Sequence, residues 1–206
     1  MNVLKLVIEF VMDVLETIVF IGSLFIVVYL FILQPNQIKG ASMEPTFISG
    51  EYILTSKITY KFRSMHRGDI IVFKSLQNPN IDYIKRIIGL PGDKIMIHNG
   101  EVFVNDRKID EPYINNITNV WERGYSKDDV PITVPDGTLF VMGDNRNRSS
   151  DSREFGPVPV DNIIGHVFYR YFPVTKMGSI NNPFPHDLLT YLLHDASRVF
   201  WVVNSV

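Results

Sequence analysis

The sequence predicts a mainly β fold, in which an antiparallel, barrel-like β domain follows one N-terminal transmembrane helix. Residues 17–33 form an uncharged apolar run close to the N-terminus. After residue 42 come short β-branched and aromatic segments separated by Gly, Pro, Asn or Asp, which is typical of strands joined by turns. Only residues 187–203 return to a helical spacing, which predicts a short C-terminal amphipathic helix that either lies on the membrane or packs against the β domain.

The apolar run has the properties of a retained anchor. With the apolar residues before it, the run reaches the ~20 residues that a membrane-spanning helix needs. A cleavable signal peptide has a shorter apolar core, about 7–15 residues, followed by an A-x-A-like cleavage site, whereas residues 34–39 are QPNQIK. Lys5 and Lys39 lie on opposite sides of the run, so the charges alone do not fix its orientation.

Composition excludes several classes of function. The 206 residues leave room for an anchor at 1–36, a β domain at 37–174 and a tail at 175–206 that begins with a linker. The net charge of −2 lacks the basic excess of nucleic-acid-binding proteins, so no nucleic acid partner is expected. The absence of cysteine excludes thiol catalysis and cysteine-based metal sites. The five histidines show no paired ligand spacing, so we expect no metal and no other cofactor.

The predicted strands can be placed from their patterns. One pair is joined by Asn99-Gly100, which supplies the two positive-φ positions of a type I′ hairpin turn. Residues 105–130 are polar and irregular, and we expect a surface excursion there. The predicted strands lie at residues 52–55, 69–73, 81–88, 94–98, 101–104, 131–134, 138–142 and 163–172.

Three stretches carry candidate catalytic residues. Ser42 lies between small residues and Pro45, as an exposed nucleophile requires, although residues 40–47 are equally compatible with a plain linker. Lys85 and Arg86 are adjacent cations in an apolar strand, so they face opposite sides; they either extend to water at a sheet edge or have a special environment. A Ser-His-Asp triad stays open, because triads assemble in space.

The third stretch is the polar segment 143–156, where Asp144 and Asp151 have Arg146, Arg148 and Arg153 as candidate partners. Together with the other two stretches it resembles the type I signal peptidases, in the Gram-positive single-span form. Four motifs occur in that family's order: Ser42-Met43-x-Pro45-Thr46, Arg67-Gly68-Asp69-Ile70-Ile71-Val72-Phe73, Tyr83-x-Lys85-Arg86-x-x-Gly89-x-Pro91-Gly92-Asp93, and Gly143-Asp144-Asn145 through Ser149-x-Asp151-Ser152-Arg153 to Gly156.

The resemblance implies roles for individual residues. Ser42 aligns with the nucleophile, Lys85 with the general base, and Ser149 with the hydroxyl that steadies that lysine. Gly40 stands where some members carry an oxyanion-hole serine, so backbone N–H groups, chiefly that of Ser42, are expected to form the hole. Arg148 stands where members of the family commonly carry an asparagine. The remaining support residues are an acid–base pair, Asp151 and Arg153, and two structural positions, Asp144 and Asn145.

The implied function is a membrane-bound serine endopeptidase that removes signal peptides from exported preproteins. We expect a single-pass cell-membrane protein in contact with lipid, with its β domain outside the cytoplasm. Signal peptides with small residues before the cut are the expected substrates, since shallow apolar pockets favour alanine-sized side chains. We expect the pocket walls to be Met43, Ile84, Ile87 and Val141.

Two rival functions differ in class from this one. A non-enzymatic membrane-tethered chaperone in pilus or surface-protein assembly would not need both Ser42 and Lys85. A Ser/Lys autoprotease of the repressor type would carry a DNA-binding domain in place of an anchor. The sequence leaves open whether the preproteins are general secretory ones or a dedicated pilin or bacteriocin precursor.

Overall fold

The N-terminal apolar segment forms one continuous helix in a computed structural model that describes residues 3–184. Helix α1 spans Val3–Phe31, so it begins well before the uncharged run at 17–33. Among the described residues it is the one helix that is long and apolar enough to cross a membrane, and none of its residues is buried. The predicted C-terminal helix at 187–203 lies outside the described residues.

Twelve strands and two single-turn helices follow α1. The helices are α2, Thr59–Phe62, and α3, Ser152–Phe155. The strands are β1 Leu33–Gln37, β2 Tyr52–Ser56, β3 Ile70–Lys74, β4 Asp82–Gly89, β5 Lys94–His98, β6 Glu101–Val104, β7 Arg107–Lys108, β8 Ile132–Thr133, β9 Thr138–Met142, β10 Val158–Pro159, β11 Ile163–Phe172 and β12 Gly178–Ser179.

The strands form two sheets whose neighbouring strands are all antiparallel. The larger sheet has the order β1-β2-β11-β3-β4-β9-β10, with β12 added beside β11, and the smaller has the order β7-β6-β5-β8. Asn99 and Gly100 join β5 to β6 with φ values of 50° and 80°, as a type I′ turn requires. The mainly antiparallel β fold behind an N-terminal apolar helix is therefore confirmed.

The larger sheet is covered on both faces near its centre. In β3, Ile70 and Val72 pack into one core cluster, while Ile71 and Phe73 pack into another, as alternation along a strand dictates. The smaller sheet packs its apolar side chains against Ile88 of β4 and against β9 in a third cluster. Strand β4 thus runs through the interior, and polar side chains on it must find partners there.

The sheet extends beyond both ends of the predicted β domain. Strand β1 pairs with β2 from Leu33↔Ser56 to Gln37↔Tyr52, so the predicted boundary at residue 36 falls inside a strand. Its polar, Pro35-containing sequence gives no strand signal, and it is tolerated because β1 lies at the sheet edge. At the other end, β12 pairs with β11, and Asn182 donates a hydrogen bond to the Arg67 carbonyl at 2.9 Å.

Close packing of β11 against β2 yields a stability prediction. A Cβ at Gly165 would overlap the Ser56 carbonyl oxygen, which is backbone and cannot rotate away. We expect Gly165→Ala to lower the free energy of unfolding by about 1–3 kcal/mol, measured by thermal and urea denaturation. A Cβ at Gly178 meets open space, so Gly178→Ala is the matched control and should stay within about 0.5 kcal/mol. Equal stability of the two variants would contradict this packing.

Candidate active site

Ser42 lies in a turn that is fixed to the core by its neighbours. The turn, residues 38–47, is part of the connection between β1 and β2. Ile38, Met43 and Phe47 are buried in the core cluster that contains Ile70 and Val72. A backbone hydrogen bond from Phe47 N to Met43 O, 2.8 Å long, closes the turn. Ser42 itself stays partly exposed, so a rigid turn presents its hydroxyl to a neighbouring group and to solvent.

Lys85 is the group that meets this hydroxyl. It lies on β4, between β3 and β9, and opposite Ile71. Its Nζ is 2.9 Å from Ser42 Oγ and 2.9 Å from the Ile84 carbonyl oxygen, and only 3% of the residue is exposed. The Tyr83 ring centroid is 5.2 Å from Nζ. Nucleophile and amine are therefore in direct hydrogen-bond contact within the protein interior.

Burial lowers the pKa of Lys85 to about 8, because desolvation penalises the ammonium form. The carboxylates of Asp151 and Asp144 oppose this shift, and the Arg153 guanidinium reinforces it. An amine with this pKa is neutral about a tenth of the time at pH 7, whereas a free lysine is almost wholly charged. The site thus contains an amine that is able to accept a proton from Ser42.

Arg86, the second adjacent cation, forms a buried ion pair with Asp144. Its Nε and Nη2 lie 2.9 and 2.6 Å from the two carboxylate oxygens, and Nη1 donates to the Gly68 carbonyl at 3.0 Å. Thr46 of the Ser42 turn donates its hydroxyl to the same carboxylate. One ion pair therefore joins the strand of Lys85, the turn of Ser42 and the polar segment after β9.

This pair corrects the sequence analysis, which gave Asp144 an arginine from its own segment. The charge partner comes from β4, 58 residues earlier in the chain. The sequence feature that could have indicated this partner is the presence of two adjacent cations, Lys85 and Arg86, in an apolar strand. Neither extends to water at a sheet edge, since β4 lies between two other strands and both side chains are buried.

Asp151 and Arg153 form a second buried ion pair, which organises the segment 143–153, here called the polar loop. Arg153 Nε and Nη2 each lie 2.8 Å from an Asp151 carboxylate oxygen, and neither residue is exposed. Asp151 also accepts a hydrogen bond from Gly143 N at 3.0 Å, while Arg153 donates to the Arg146 carbonyl at 2.8 Å. The loop is folded back on itself by these bonds.

The polar loop lies directly against the nucleophile turn. Asn145 N donates to the Ser42 carbonyl at 3.0 Å. A Cβ at Gly143 would overlap both this carbonyl oxygen and the Ser149 hydroxyl, so the loop reaches Ser42 only because residue 143 is glycine. The structure thus brings Asp144, Asn145 and Ser149 to the dyad.

Ser149 does not make the hydrogen bond to Lys85 that the resemblance implies. Its hydroxyl is buried and has no hydrogen-bond partner among the described residues. Lys85 Nζ instead contacts Ser42 Oγ and the Ile84 carbonyl. The steadying role of Ser149 therefore stays a prediction.

The other expected site residues differ in their surroundings. Gly40 has a φ of 89° and is exposed, with open space around it. Met43, Ile87 and Val141 are buried in core clusters and expose at most 1% of their surface, so they form no open pocket wall here. Only Ile84 is partly exposed, and it alone of the four expected wall residues offers surface to a ligand.

The histidines among residues 3–184 contact side chains other than Ser42. His98 contacts Asp129, His66 contacts Arg63, and His166 Nε2 is 3.8 Å from an Asp69 carboxylate oxygen. Within residues 3–184, the side chain that contacts Ser42 Oγ is that of Lys85. Arg146, which the sequence offered as a partner of Asp144 or Asp151, is fully buried and pairs instead with Glu111 of residues 105–130.

Comparison with known proteins identifies similar chains. A family model described as "Signal peptidase, peptidase S26" matches residues 11–172. Signal peptidase IB of Staphylococcus aureus (strain COL) is 36% identical over 185 residues, covering 83% of this chain and 96% of the relative. Signal peptidase I of Bacillus caldolyticus is 40% identical over 156 residues, covering 72% and 85%. A crystal structure of a signal peptidase I from Enterococcus faecalis V583, 32% identical, covers 50% of this chain and 97% of its own, with a TM-score of 0.42.

The buried ion pairs yield a second stability prediction. Arg153→Met leaves the Asp151 carboxylate unpaired in the interior, and we expect a loss of about 3–5 kcal/mol in the free energy of unfolding at pH 7, measured by urea denaturation. The control is Lys94→Met, whose partner Asp106 is mostly exposed, and we expect a loss below about 1 kcal/mol. Similar losses in both variants would show that burial does not set the cost.

Proposed function

Since this chain belongs to the signal peptidase family, peptidase S26, and is a membrane serine endopeptidase that removes signal peptides, we propose that Ser42 is its nucleophile and Lys85 its general base. The observation that carries this assignment is the 2.9 Å contact between Lys85 Nζ and Ser42 Oγ. The buried amine with its lowered pKa supplies the proton acceptor that a serine nucleophile needs.

The reaction follows in two halves. Neutral Lys85 takes the Ser42 hydroxyl proton while Oγ attacks the scissile carbonyl, and the resulting ammonium then gives this proton to the leaving amine of the mature chain. The C–N bond breaks, which leaves the signal peptide as an ester on Ser42. In the second half, water gives a proton to Lys85 and attacks the ester, and the proton returns to Ser42 Oγ as the signal peptide leaves with a new carboxyl group.

We assign the oxyanion donor to the Ser42 backbone. None of the described residues accepts a hydrogen bond from the Ser42 N–H, so this donor is available to the developing negative charge. Gly40 places no side chain beside the turn, which leaves its exposed side open to the substrate. Asp144, Asn145, Asp151 and Arg153 act as positioning residues, because they hold the polar loop against Ser42.

Substrate preference and membrane location are further parts of the proposal. Ile84 is partly exposed and precedes Lys85, and we propose that it forms a pocket wall that favours small side chains before the cut. Lys57 N, just past the end of β2, donates to the Ile32 carbonyl at 2.9 Å, so β2 ends where α1 exits. Strands β1 and β2 are each five residues long, about 17 Å, and the Ser42 turn follows β1 at their other end, so we place the dyad near the membrane. We place α1 as the single span, in contact with lipid, and the β domain outside the cytoplasm.

The dyad is tested with a model preprotein in detergent, with N-terminal sequencing of the product. We expect one cut at the signal-peptide junction and a rate that rises with pH through an apparent pKa near 8, because deprotonation of Lys85 creates the base. Ser42→Ala and Lys85→Arg should lower the rate by at least about 10⁴-fold, since alanine has no hydroxyl and arginine keeps its proton.

The control for these variants is Lys74→Arg, an exposed lysine on the neighbouring strand β3, which should keep wild-type activity. Circular dichroism checks that each variant is folded. Retained activity in Lys85→Arg would overturn the assignment of the base. An uncut preprotein with folded wild-type protein would overturn the proposed function as a whole.

The membrane anchor yields a separate prediction. Deletion of residues 1–31 removes α1 and leaves β1 in the sheet, whereas a deletion to residue 34 would remove part of that strand. We expect turnover of short soluble peptides within about 2-fold of wild type, and about 10- to 100-fold slower cleavage of preproteins in vesicles, because co-localisation raises the effective concentration. Equal losses on both substrates would show that α1 supports the fold rather than substrate access.

A further inference from the structure

An open cleft of about 450 Å³ lies beside the polar loop and has no role in the mechanism above. One side is a turn that contains Trp121 and Arg123, and the other is the part of the polar loop that contains Asn147, Arg148 and Ser149. We call it the arginine cleft.

The two sides of the arginine cleft are fixed relative to each other. Ser126 N donates to the Arg153 carbonyl at 2.9 Å, and Asn119 Nδ2 donates to Asn147 Oδ1 at 3.0 Å. The buried Arg153 guanidinium lies 4.7 Å from the centre of the Trp121 ring, so a cation supports the indole. Hydrogen bonds therefore hold the two sides of the cleft together, and the cleft is not a gap between two independent loops.

The charges in the cleft favour an anionic ligand. Arg123 and Arg148 are both exposed, and neither forms an ion pair with an acidic side chain of residues 3–184. Glu154 is the one carboxylate that lines the cleft, so the local balance is positive although the whole chain carries −2. A guanidinium with free N–H groups matches the geometry of a carboxylate and binds it with two parallel hydrogen bonds.

The position of the cleft beside the polar loop favours a ligand that is part of the substrate chain. Ser149 lines the cleft, while its hydroxyl packs against Gly143, the residue that touches the Ser42 carbonyl. The polar loop that lines the cleft also contacts the Ser42 carbonyl through Asn145 N, and an extended chain advances about 3.3–3.6 Å per residue, so we expect a few residues of substrate to reach from Ser42 towards the cleft.

We propose that the arginine cleft binds an acidic side chain of the preprotein near the scissile bond, through Arg123 and Arg148. The Trp121 ring offers an apolar surface to the stem of that side chain. The inference rests on the proposed function, because it names a substrate feature that the same active site selects.

The test is a scan of one peptide substrate in which Asp, Asn or Lys replaces each residue in turn on both sides of the scissile bond. We expect kcat/KM to be higher for Asp than for Asn at one or two positions. Arg148→Gln and Arg123→Gln should each lower this ratio by about 2- to 5-fold, as exposed charge pairs do. Glu154→Gln should raise the ratio, and Arg148→Glu should shift the preference towards Lys.

Two controls separate this effect from general electrostatics and from failure of the dyad. Arg107→Gln removes an exposed arginine on the edge of the smaller sheet and should leave the Asp-to-Asn ratio unchanged. All variants should cut the Asn peptide at the wild-type rate, which shows that the dyad works. About 1 M salt should remove the preference, because it screens exposed charges.

The outcomes are distinguishable. Equal cleavage of Asp and Asn peptides at every position, or equal effects of Arg107→Gln and Arg148→Gln, overturns the cleft while the proposed function stands. Loss of cleavage of the unsubstituted parent peptide in the wild-type protein overturns the proposed function itself.

Discussion

The rest of the site depends on one requirement, which is that the pKa of Lys85 is low enough for its amine to be neutral part of the time. Burial lowers the pKa of Lys85, whereas a nearby carboxylate raises it by stabilising the ammonium form. Two buried carboxylates, Asp151 and Asp144, lie close enough to raise that pKa. Each carboxylate is bound by an arginine fork, from Arg86 and Arg153 respectively. The Asp151–Arg153 pair therefore does more than hold the polar loop in place, because the Arg153 guanidinium lowers the pKa of Lys85 and so opposes the effect of the two carboxylates.

The same ion pairs hold together three segments that are far apart in the chain. Ser42 lies on a turn, Lys85 on a central strand, and the polar loop follows β9, so no local sequence preference can set their distances. Thr46 joins the turn to the Arg86–Asp144 pair, and Asn145 N bonds the Ser42 carbonyl. Because charged hydrogen bonds are short and directional, a few of them fix three segments at once.

Much of the fold could be predicted because its signals are local. The strand segments and the Asn99-Gly100 hairpin follow from β-branched runs and from a turn chemistry that needs two positive φ values. Strand β1 was not predicted, since an edge strand with a proline has no buried face to impose a pattern on its sequence.

By itself, the sequence determined the anchor, the strands, the candidate residues Ser42 and Lys85 and, through ordered motifs, the family. Only the tertiary structure decided which charges pair, because pairing depends on spatial contacts between residues far apart in the chain. Arg86 rather than a neighbouring arginine holds Asp144, and three of the four expected pocket residues, Met43, Ile87 and Val141, lie in the core. Alternation along a strand predicts the face on which a side chain lies. The elements packed against that face determine whether the side chain joins the hydrophobic core, forms an ion pair or belongs to the active site.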